Sequence, residues 1–150
     1  MTLPRRLFCL LGLVLPLALA AQDGGDAHQP RKFVADIELQ TESELQALLQ
    51  RAEQLLLSGQ ATQVSGPAVS FVLHGPVLRS LLRENYGDSK ALVDKAASLT
   101  ALGVVEMKAC RIWLSKNGLD ETQLQPFVQG VDYGVDEVER LVRDRGYYFF

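Results

Sequence analysis

Apolar and polar positions alternate between two periods from Lys32 onward. Phe33, Val34, Ile37 and Leu39 predict a first strand, and Thr41 with Glu44 three residues later has the form of a helix capping box. Leu45, Leu48, Leu49, Ala52, Leu55 and Leu56 follow at helical spacing until Gly59, which predicts an amphipathic helix. Ala68 to Leu73 is a nearly unbroken apolar run after Gly66-Pro67, as expected of a strand covered on both faces, and it ends at His74-Gly75. Pro76 suits a first helical position, and Val77, Leu78, Leu81 and Leu82 predict a helix running toward Tyr86-Gly87. A second helical stretch carries Leu92, Val93, Ala96, Ala97, Leu99 and Leu102 and stops at Gly103.

Val104 to Ala109 then reads as a third strand with Cys110 at its end, followed by a short helix from Arg111 to Asn117. Asp120 and Gln123 can cap one helical turn. Pro126 to Val131 is a short strand, Val135, Val138, Leu141 and Val142 mark a last helix stopped by Gly146, and Tyr147 to Phe150 is a fifth strand. Strands that alternate with helices point to a parallel sheet, because parallel strands need long crossovers. The expected fold is therefore one α/β domain with about five mostly parallel strands and helices on both faces. The aromatic end is expected inside the sheet or under a neighbouring subunit, because a free aromatic edge invites aggregation.

The first 20 residues belong to a different pattern. Arg5 and Arg6 precede an apolar run from Leu7 to Leu19 that closes on Ala18-Leu19-Ala20, the form of a signal peptide with a small-residue cleavage site. This run is shorter than the about 20 residues a membrane span needs. The expected division is residues 1–20 as signal peptide, 21–31 as flexible linker and 32–150 as the domain. The product would be periplasmic or secreted, without a stable membrane anchor. His28 lies in the polar linker. Cleavage would leave 13 basic against 18 acidic residues, a balance of −5 that offers nucleic acid no attraction.

Cleavage would also leave Cys110 as the sole cysteine, without a partner for an intramolecular disulfide. It is a buried thiol, an intermolecular partner or a reactive group. In a parallel sheet ligands collect beyond the carboxyl ends of the strands, beside helix N-termini, where a thiolate is favoured. His74 ends the second strand and Cys110 the third, so both meet that positional test. Alternation sends Lys108 to the same strand face as Cys110, while Arg111 and Lys116 follow helical geometry. Asp132, Asp136, Glu137 and Glu139 read as a solvated helix start. The glycines form no phosphate loop, and the histidines with one cysteine form no zinc pattern, so neither cofactor nor metal is expected.

Val72-Leu73-His74-Gly75, then Leu102-Gly103-Val104 leading to Ala109-Cys110, then Gly134 to Leu141 and Gly146-Tyr147, resemble the DsrE/DsrF-like sulfur-relay family, especially its small exported branch. The resemblance spans about residues 32 to 150. It implies a five-stranded α/β fold that assembles as trimers or hexamers. It further implies that Cys110 accepts sulfane sulfur as a persulfide, with His74 and Gly75 as binding residues and a donor or acceptor protein as partner. Export by the expected leader would separate this chain from cytoplasmic relay partners, a departure from the family's better understood members. A non-catalytic, oligomeric binding module with a structural cysteine is the alternative from the residues alone.

Overall fold

The computed structural model describes residues 31–150; the signal-peptide and linker readings, His28 included, lie outside them. Five strands form one sheet: β1 (Phe33–Glu38), β2 (Val69–His74), β3 (Val105–Cys110), β4 (Val128–Val131) and β5 (Tyr148–Phe149). Their order is β4-β3-β2-β1-β5, and each pairing is parallel. Four α-helices supply crossovers: α1 (Glu42–Leu57), α2 (Lys90–Ala101), α3 (Arg111–Lys116) and α4 (Gly134–Arg145). Arg31 precedes β1 and bridges to Ala61.

The period of two along each strand separates the two faces. Phe33, Ala35 and Ile37 of β1, Val69, Phe71 and Leu73 of β2, and Val105, Met107 and Ala109 of β3 join Leu45, Leu49 and Ala52 of α1 and Leu92, Ala96 and Leu99 of α2 in the main apolar core. Phe71 is fully buried there, with the Phe150 ring edge-on at 5.4 Å. The opposite face packs Val34 and Val72 against Val138 and Leu141 of α4, with Tyr147. Helices thus cover both faces, as the alternating pattern predicts.

The capping box of α1 forms as read: the Glu44 amide donates to Thr41 Oγ1 at 3.4 Å, and the Thr41 amide donates to Glu44 Oε2 at 2.9 Å. The helix expected after Pro76 does not. That stretch is a pair of 3-10 turns, Pro76–Leu81 and Arg83–Asn85. Leu82 breaks it by taking an extended conformation, bridging to Leu124 while the Gln125 amide donates to the Leu81 carbonyl at 2.8 Å. A tertiary contact overrides the local spacing. The fourth strand likewise begins at Val128 and not Pro126, after a turn in which the Val128 amide donates to the Gln125 carbonyl.

Two further expectations change. The aromatic β5 is an edge strand, paired only through Tyr148 and Phe149, and Phe149 is 67% exposed. Of the two expected placements, the edge position excludes the interior of the sheet and leaves cover by a neighbouring subunit. Glu137, read as part of a solvated helix start, is instead drawn against the sheet, where the Lys108 ammonium and the Arg140 guanidinium hold it.

Candidate functional site

Adjacent strand ends build the site. Leu73 of β2 pairs with Ala109 of β3, so His74 and Cys110 follow side by side on neighbouring strands, and period-two alternation puts both on the α4 face. They share a pocket of about 230 Å³ at the carboxyl edge of the sheet, lined by Asp36, His74, Cys110, Ile112, Trp113, Lys116, Tyr133, Gly134 and Val135. This is where a parallel sheet gathers ligands. Strand order decides the juxtaposition, and strand order is not readable from spacing.

Cys110 is 6% exposed and lines this pocket. It is the N-cap residue of α3, but its side chain makes no cap hydrogen bond. Cys110 thus stands at the start of α3 as the spacing predicts, and its Sγ also lies near the first residue of α4. A Cβ added to Gly134 would stand 3.8 Å from Sγ, 3.6 Å from Cys110 Cβ and 3.2 Å from Val72 Cγ1. A methyl at that position would be tight against Val72 and in ordinary contact with the thiol, so glycine leaves the approach to Sγ open at the start of α4. The N-cap of α4, Tyr133, also supplies no side-chain cap, which leaves the positive end of the longer helix open toward the pocket.

His74 is oriented from the other side. Its Nε2 lies 3.1 Å from Oδ1 of Asp36 on β1, a residue that the sequence reading passed over. Asp36 alternates with Ala35 and Ile37 and so shares the α4 face with Val34. Gly75 takes a different part. Its φ is +99°, and a Cβ there would meet the Leu39 carbonyl oxygen at 2.9 Å, so Gly75 shapes the turn after β2 and does not line the pocket.

The cations near Cys110 divide sharply. Lys108 shares the Cys110 face, but its ammonium is 3.0 Å from Glu106 and bound to Glu137, while Ser70 donates to Glu106. Arg140 donates to both Glu137 carboxylate oxygens at 2.8 Å; with Lys108 it holds that carboxyl down to about 2, against the opposing effect of burial. Arg111 turns away to Glu121 at 2.7 Å and Asp132 at 2.6 Å. Lys116 lines the pocket and has no ion pair among the described residues.

No group of three or more His, Cys, Asp or Glu side chains is placed to hold a metal among the described residues, and no helix there is long and apolar enough to cross a membrane. The fold is that of a single-domain α/β protein with an all-parallel five-stranded sheet. It is similar to the structure of MTH1491 from Methanobacterium thermoautotrophicum, a protein of unknown function, with a TM-score of 0.64 and 21% sequence identity over 80% of this chain and 97% of that chain. At that identity the likeness speaks to the fold alone. No protein-family model and no curated protein matches the chain.

Proposed function

We propose that this chain is an exported DsrE/DsrF-like protein that handles sulfane sulfur, or a related thiol modification, at Cys110. The observation that carries the reading is the shared pocket: the sole cysteine of the described residues, a histidine held by an aspartate and the open start of α4 converge on one cavity. In this reading Cys110 attacks the outer sulfur of a persulfide. The Cys110 S–S bond forms, the donor S–S bond breaks, and the proton given up by Cys110 leaves on the donor thiol. His74, within the same pocket, accepts and returns that proton, and Asp36 fixes its ring.

The test is intact mass of the purified protein before and after incubation with inorganic polysulfide, with Cys110→Ala as control. A gain of about 32 Da per sulfur, reversed by reductant and absent in the control, is expected. Modification only after unfolding overturns the reading.

One observation favours a second reading, an assembly module with a structural thiol. The edge strand β5 leaves Tyr148 and Phe149 exposed beside an apolar groove that includes Ile37 and Leu48. Such an edge is normally blunted or covered, and a second copy of the chain would cover it. Sedimentation of the Phe149→Lys variant against the parent tests this, since assembly through β5 requires the variant to shift toward monomer.

A further inference from the structure

Resting on the sulfur-handling reading, we infer that the pocket takes its sulfur from a small organic persulfide that carries a carboxylate, with Lys116 as the residue that selects it. Three features of the lining point to that class. The volume of about 230 Å³ suits a molecule of a few carbon atoms plus its sulfurs and is small for a folded carrier's loop. Ile112, Trp113 and Val135 give it apolar walls, which match a short carbon body. Its one charged side chain without a partner among the described residues is Lys116. Asp36 is taken by His74, whereas Lys116 has no ion pair among the described residues and α4 opens its uncapped N-terminus on the same cavity. A negative group on the ligand is the complement of both.

The pairing also orders the chemistry. A carboxylate set at Lys116, on the α3 side of the cavity, turns the sulfur end toward Cys110 and His74 on the strand ends. Cys110 sulfur then attacks the outer sulfur, the donor S–S bond breaks, and the carboxylate-bearing thiol departs with the proton. No oxidant is consumed, since the donor itself is the oxidised partner.

Symmetric disulfides probe the selection directly, because the same thiol attacks one sulfur and releases the other half as a thiolate. The reagents are 3,3′-dithiodipropionate, bis(2-hydroxyethyl) disulfide and cystamine, which are anionic, neutral and cationic. Rates of Cys110 adduct formation are read by intact mass at physiological ionic strength, each divided by its rate with a short neutral cysteine peptide. Expected is anionic over neutral over cationic, with about a fivefold preference that Lys116→Glu reverses. Inorganic polysulfide is run in parallel. If polysulfide labels Cys110 but the three disulfides show no charge order, or Lys116→Glu leaves the order unchanged, the selection by Lys116 is wrong and the sulfur reading stands. If no reagent labels the folded protein, both fall.

Discussion

Lys108→Met probes the buried charge network that fastens α4 over the pocket. The Lys108 side chain is 7% exposed and sits between Glu106 and Glu137, and Glu137 is three residues from Gly134, which packs on Cys110. Removing one member of a buried ion pair costs about 3–5 kcal/mol when the other charge is left alone. Here the loss is smaller. Glu137 keeps two hydrogen bonds from Arg140, and Glu106 keeps the Ser70 hydroxyl and is partly solvated, so about 2 kcal/mol is expected.

With a urea m-value of about 1.5 kcal/mol/M, that is a fall of about 1.3 M in the unfolding midpoint at pH 7. The double variant Lys108→Met with Glu137→Leu removes the stranded carboxylate and frees Arg140 to solvent, so about half of the loss returns. The cycle is completed by Glu137→Leu alone. A midpoint for Lys108→Met within about 0.3 M of the parent, or a double variant less stable than the sum of the two single changes, would refute the proposed coupling.

Three other changes test separate parts of the account. Gly75→Ala forces a side chain into φ +99° and against the Leu39 carbonyl, and a loss of at least about 2 kcal/mol is expected in urea melts; an unchanged midpoint would remove the steric argument. Gly134→Ala puts a methyl 3.8 Å from Sγ, so Cys110 alkylation should slow several-fold while stability moves by less than about 1 kcal/mol, and equal alkylation rates would show that the thiol is reached by another path. For acid, Glu137 is held at about 2 against an ordinary 4.5, chiefly by Arg140 and then by Lys108. Its contribution is present above pH 4.5 and is lost as pH falls from there toward 2. After allowance for solvent screening of the Arg140 arm, about 1–2 kcal/mol of the acid loss should vanish in Glu137→Gln, as seen by comparing urea midpoints at pH 5 and pH 2.5.

Much of this architecture is written locally. β2 reads as a fully covered strand because all but the last of its six residues are buried, and the capping boxes at Thr41 and Asp120 depend on residues three apart. Lys108 and Cys110 share a face because alternation alone requires it. Strand order is different: it depends on how crossovers pass the sheet, so the neighbourhood of His74 and Cys110 had no local signal. Asp36 was passed over, and Glu137 was read as solvated, for a related reason. Each is an acidic residue in a pattern that reads as solvent-facing until α4 lies over the sheet and gives it a partner. The Pro76 stretch misled in the opposite sense, since its apolar spacing suits a helix that the Leu82 bridge to Leu124 does not allow.

The most direct measurement of the central claim is the rate at which polysulfide modifies Cys110 in the folded protein, divided by the rate for the same chain unfolded in urea and corrected for reagent behaviour there. A functional thiol beside His74 and the start of α4 predicts a ratio near or above one, falling on Asp36→Asn or His74→Asn. A folded-state rate smaller by about a thousandfold, rising with urea in step with global unfolding, would show a thiol reached only through the unfolded chain and contradict the account.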